Sequence, residues 1–154
     1  MLGAARMIVA IQSVRQRSYI PSLCIVVGIL LLGCQKPMTT ADVQGIWVPD
    51  GTSAQIVKQS GGCQIKIQAD GAFSATVPDY LMVTPDKAAG KTMAGNGQWA
   101  IQDGELKLAF GEVDGQRINW GATPLKHSGS GSSSVLWFYI GEEGGRRFVF
   151  HRNE

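Results

Sequence analysis

Two histidines, three cysteines and 12 carboxylates are the residues of this chain that have chemistry to offer. A catalytic or metal-binding histidine needs convergent partners, either three or four ligands or a nucleophile with its base. His127 and His151 fall on an expected loop and an expected last strand, and no His-x-His, Cys-x-x-Cys or Gly-x-Ser-x-Gly occurs. Both are therefore expected at the surface. The carboxylate pairs Asp103/Glu105, Glu112/Asp114 and Glu142/Glu143 all flank turns, where solvation explains them. Paired-carboxylate hydrolysis needs two such groups across one cleft, which spacing alone does not show. An Asp-x-Asp-x-Asp-Gly calcium loop is absent, and the Gly-rich stretches lack the Lys and helix of a phosphate loop. The expectation is no catalysis, no metal and no cofactor, with an envelope hydrolase as the minor alternative.

Cys34 is different. It ends the apolar stretch Leu23–Gly33, which follows Arg15 and Arg17, and the chain turns polar at once with Gln35-Lys36-Pro37. A basic segment, a short apolar segment and a small residue make a secretory signal peptide. A spanning helix needs roughly 20 apolar residues; this segment is shorter and, extended back to Tyr19, contains Pro21. Leu31-Leu32-Gly33-Cys34 resembles the lipobox of bacterial lipoproteins, with a branched residue at −3, a small one at −1 and the invariant cysteine at +1. Leu32 departs from the commoner Ala or Ser at −2. The resemblance implies acylation (palmitate) of the Cys34 thiol, cleavage before it, and a membrane partner held through the acyl chains. It also implies a cell-envelope location. Gln35 at +2, where Asp is absent, points to the periplasmic face of the outer membrane in a double-membraned bacterium. The chain then divides into a signal peptide over 1–33, a lipidated tether over 34–43 and a single β domain over 44–154. Met7 is a second candidate start beside Met1.

Three of the 14 basic residues (Arg6, Arg15 and Arg17) precede Cys34, and all 12 acidic ones follow it. The mature part is thus nearly neutral, with charges interspersed, and has no basic field for nucleic acid. Cys24 leaves with the signal peptide and Cys34 is assigned to lipid, so Cys63 is left alone and no internal disulfide is available. Cys63 opens the apolar side of the alternation Cys63, Ile65, Ile67. It is expected as a buried small hydrophobe, not a nucleophile.

From Gln44 onward the apolar period is two. Strands are expected at Gly45–Val48, Ala54–Gln59, Cys63–Gln68, Ala72–Val77, Gly97–Gln102, Glu105–Phe110, Arg117–Trp120, Val135–Ile140 and Arg146–His151. Asp70-Gly71 and Asp103-Gly104 are hairpin signals, because Gly takes positive φ without penalty. Asp79–Met93, broken by Pro85 and Gly90, reads as a long connecting loop with one helical turn around Asp79–Met82. Thr123–Ser134, rich in Ser and Gly, reads as a flexible solvated loop. Eight or nine short strands predict an all-β domain: a small antiparallel up-and-down β-barrel or a sandwich.

Gly45-Ile46-Trp47 resembles the Gly-x-Trp of the lipocalin-like (calycin) barrels. That resemblance implies a Trp plugging the closed end and an Arg of the last strand over it, here Arg146, Arg147 or Arg152. The layout also resembles small uncharacterised bacterial lipoproteins. It runs through Asp70-Gly71-Ala72-Phe73 and Gly95-Asn96-Gly97-Gln98-Trp99 to the hairpin Trp137-Phe138-Tyr139…Arg147-Phe148-Val149-Phe150. Candidate ligand or partner residues are Trp47, Trp99, Trp120, Trp137 and Tyr139. The first three either fill the barrel or line an apolar pocket in it. Val135–Ile140 is apolar on both faces, so Trp137 and Tyr139 either pack inside or form an exposed aromatic patch. The expected function is a lipid-anchored envelope binding module for a small apolar ligand or a protein; the rival is a spacer acting through its loops.

Overall fold

Apolar and polar residues alternate over Gln64–Ile67, Ala72–Pro78 and Glu105–Val113, which gives each segment one dry face. In the computed structural model all three are strands, and their dry faces converge on one core. The structure describes residues 37–57, 62–83, 87–119, 121–141 and 145–153. The expected signal peptide, Cys34 and Trp120 lie outside these residues.

A helical turn, α1 (Thr40–Val43), precedes β1 (Gly45–Pro49), and a second, α2 (Gly51–Ala54), follows it. Then come β2 (Gln64–Ile67), β3 (Ala72–Pro78), a 3₁₀ turn at Asp79–Leu81, β4 (Thr92–Gln102) and β5 (Glu105–Val113). The chain ends with β6 (Gln116–Arg117), β7 (Thr123–Ser128), β8 (Val135–Ile140) and β9 (Arg146–Asn153). Successive strands pair antiparallel, β5 reaches β7 directly, and β9 returns to β1. Eight strands close the wall, and the two-residue β6 only extends a hairpin on β5. Of the two all-β architectures expected, the barrel is the one formed, and its plan is compatible with a lipocalin-like barrel.

The interior is filled. Trp47, Phe73, Phe110, Phe138, Phe148 and Phe150 are buried among Ile, Leu and Val side chains from β2, β3, β5, β7 and β8. Phe73 meets Phe110 edge-on at 4.9 Å, and Phe148 packs between Phe138 and Phe150 at 5.4 and 5.1 Å. Two glycines let so small a barrel close around these rings. A Cβ on Gly97 would fall 2.0 Å from the Ala109 carbonyl oxygen, and one on Gly95 would fall 2.8 Å from Phe110. The register shifts between Asn96 and Gly97, which pair with Glu112 and Phe110 and leave Gly111 as the extra residue, so a bulge bends β5 where it meets β4.

One end of the barrel is plugged as the Gly-x-Trp resemblance implied. Trp47 is fully buried, its Nε1 donates to the Val43 carbonyl at 2.7 Å, and the Arg152 guanidinium lies 5.1 Å from its ring centroid. Arg152 Nη2 also donates to the carbonyls of Ala41 and Asp42, at 3.1 and 2.6 Å. Thr39 and Asp42 cap α1 reciprocally. Val43 is buried, and the compact unit begins at Pro37, within the stretch expected as the tether.

Several expectations are corrected. The strand expected at Ala54–Gln59 gives way at its start to α2, because Asp50 accepts from the Ser53 backbone N–H as a helix cap. Residues 58–59 lie outside the described ones. Part of the expected loop Thr123–Ser134 is β7, held to β5 through Leu106↔Leu125 and to β8 through Lys126↔Trp137. Strand β4 starts at Thr92, not Gly97, and takes the end of the loop expected over Asp79–Met93; the helical turn in that loop is at Asp79–Leu81. The strand expected at Arg117–Trp120 shrinks to the hairpin of β6, turned by Asp114-Gly115 at φ 48° and 76°. The same Asp-Gly turn at Asp103-Gly104 is formed as expected, at φ 53° and 74°.

Candidate functional site

Alternation along each strand settles where the candidate residues point. On β8, Leu136 and Phe138 face the core, so Trp137 and Tyr139 stand on the outer wall. Their rings meet edge-on at 5.1 Å. The neighbouring strands supply cations to the same face. The Arg147 guanidinium of β9 is 4.1 Å from the Trp137 centroid and 5.6 Å from that of Tyr139, while Lys126 Nζ of β7 is 5.4 Å from each. Two aromatic rings framed by two cations form one surface, built from three adjacent strands.

A cleft opens beside it. Strands β7 and β8 are in register at Lys126↔Trp137, His127↔Leu136 and Ser128↔Val135. Beyond these pairs Leu125 and its predecessors stay with β5, and Phe138 and its successors stay with β9. Where the two strands part, the 3₁₀ turn leans against β8. The resulting hollow of about 210 Å³ is walled by Tyr80, Leu81, Pro124, Phe138 and Tyr139. Glu105 and Lys126 stand at it too, and the Glu105 carboxylate is ion-paired with Lys107.

The other candidates lie elsewhere. Trp47 is inside the plug. Trp99 is half-buried against the core, with its Nε1 donating 2.9 Å to the Gln68 carbonyl beside the β2–β3 turn. Neither joins Trp137 and Tyr139. Tyr80, Leu81, Pro124, Lys126 and Arg147 were not foreseen as site residues. The signal for the cations was available in the sequence: Arg147 sits opposite Tyr139 and Lys126 opposite Trp137 once the hairpins are registered.

His127, expected at the surface, is on β7 facing inward and is half-buried, and its Nε2 is buried without a hydrogen-bond partner. Burial lowers its pKa; the negative charge of Asp42 opposes that, and the positive charge of Arg152 adds to it. Ser134 is 1% exposed, and its Oγ is also unpartnered, as is Arg152 Nε. Three uncompensated polar atoms therefore sit on residues around the plugged end. His151 is exposed. Cys63 is half-buried against the core, and burial raises its thiol pKa. Among the described residues no three His, Cys, Asp or Glu side chains converge as metal ligands.

Comparison of the chain with protein-family models, with curated proteins and with solved structures returned no match.

Proposed function

We propose that this chain is a lipid-anchored binding module of the cell envelope, acylated at Cys34, which recognises its ligand on the outer wall around Tyr139. The observation that carries the reading is that Tyr139 belongs to two features at once. It is half of the outward Trp137–Tyr139 pair and one wall of the cleft between β7 and β8. The filled interior leaves little room for a ligand inside the barrel, so recognition falls to the wall. Aromatic side chains with a cation at the rim are the composition that binding surfaces favour.

Two experiments test the two halves of the proposal. Labelled palmitate is incorporated into the expressed chain and is lost in Cys34→Ala; incorporation that survives the substitution contradicts the anchor. Titration with anilinonaphthalene sulfonate gives a saturable fluorescence rise that weakens about tenfold in Tyr139→Ala, about 1.4 kcal/mol. A spacer protein instead gives no saturable rise and is indifferent to Trp137→Ser.

A further inference from the structure

The cleft between β7 and β8 lies beside the cations that frame the Trp137–Tyr139 pair. Its walls are Tyr80, Leu81, Pro124, Phe138 and Tyr139, from three separate segments of the chain, and they are largely apolar. Its volume of about 210 Å³ exceeds the roughly 150 Å³ that holds one benzene ring and falls short of a drug-sized pocket. Because the hollow follows the line along which two strands part, it suits a slender group. One wall, Tyr139, has Lys126 Nζ at 5.4 Å and the Arg147 guanidinium at 5.6 Å from its ring centroid. Glu105, an acidic group at the cleft, is ion-paired with Lys107.

We infer that this cleft takes the alkyl chain of a free single-chain carboxylate, with the acid group held outward against Lys126 and Arg147. The inference rests on the reading of the Tyr139 wall as a binding surface and names the class of ligand. The chain is buried between Leu81, Pro124 and Phe138, while the carboxylate stays at the rim. There both cations reach it and water still solvates it, so no charge is buried.

The test uses the mature chain from residue 34 with Cys34→Ser, which keeps the whole compact unit Pro37–Glu154. Calorimetric titration is run with hexanoate, octanoate, decanoate and dodecanoate, and with decanol as the uncharged match. Affinity rises roughly fourfold for each added methylene and levels once the cleft is full. The double variant Lys126→Gln/Arg147→Gln weakens decanoate about tenfold and leaves decanol unchanged. Tyr139→Ala weakens both. Absence of chain-length dependence, or an equal loss of decanol and decanoate in the double variant, overturns the inference. If anilinonaphthalene sulfonate still binds at Tyr139 while the alkyl series does not, the binding wall stands and this ligand class fails.

Discussion

Arg152, the last inward-facing residue of β9, lies over the indole of Trp47 and at the same time holds the carbonyls of Ala41 and Asp42. One side chain thereby ties the last strand, the first strand and the helical turn before it. Closure between β1 and β9 is where an up-and-down barrel is held by no hairpin, so the tie sits at the join the chain itself does not secure.

Arg152→Met keeps the apolar stem but removes both charged hydrogen bonds and the cation over the ring. The expected loss is about 2 kcal/mol, read as a lower urea midpoint with an unchanged slope. A midpoint equal to that of the parent chain contradicts the tie.

Gly97→Ala drives a methyl into the Ala109 carbonyl. Backbone on both strands must then shift, and a loss of about 2 kcal/mol or more follows. Gly111→Ala is the control: its Cβ meets nothing nearer than 4.0 Å and its backbone is unstrained. Thermal melts of the two variants should separate clearly.

His127 gives a pH prediction of definite sign. Its folded-state pKa lies below its ordinary value of 6.5, chiefly through burial. Above 6.5 it is neutral in both states and contributes no pH dependence. As pH falls through 6.5 the unfolded chain gains a proton that the folded one resists, so stability declines until the folded-state pKa is passed. Urea midpoints measured from pH 7.5 to 5 should fall for the parent chain and fall less for His127→Gln. Equal slopes contradict the assignment.

Much of the barrel was legible from residue type. Leu106, Leu108 and Phe110 alternate with polar neighbours, the Asp103-Gly104 turn is a local device, and Trp47 was expected under an arginine from the last strand. Strand β7 was not legible, because Thr123-Pro124-Leu125-Lys126-His127-Ser128 has one strongly apolar inward residue and a proline. Its strand conformation comes from β5 and β8 on either side, which is a tertiary cause. Conversely, Ala54 and Ile56 mimic a strand, and the Asp50 cap with the Ser53 hydroxyl, which accepts from the Val149 N–H at 2.8 Å, overrides them. The cleft was out of reach for a topological reason. Tyr80 and Leu81 come from the β3–β4 connection, Pro124 from β7 and Phe138 from β8, and only closure of the circle brings them together.

The central claim, that ligand sits on the outer wall and not inside the barrel, is tested most directly by the indole N–H resonances. The Trp47 indole is fixed on the Val43 carbonyl within the plug, whereas the Trp137 indole stands outside against Tyr139. On titration with decanoate, the Trp137 resonance moves and saturates while that of Trp47 stays in place. A shift of Trp47 with Trp137 unmoved puts the ligand inside the barrel and contradicts the account.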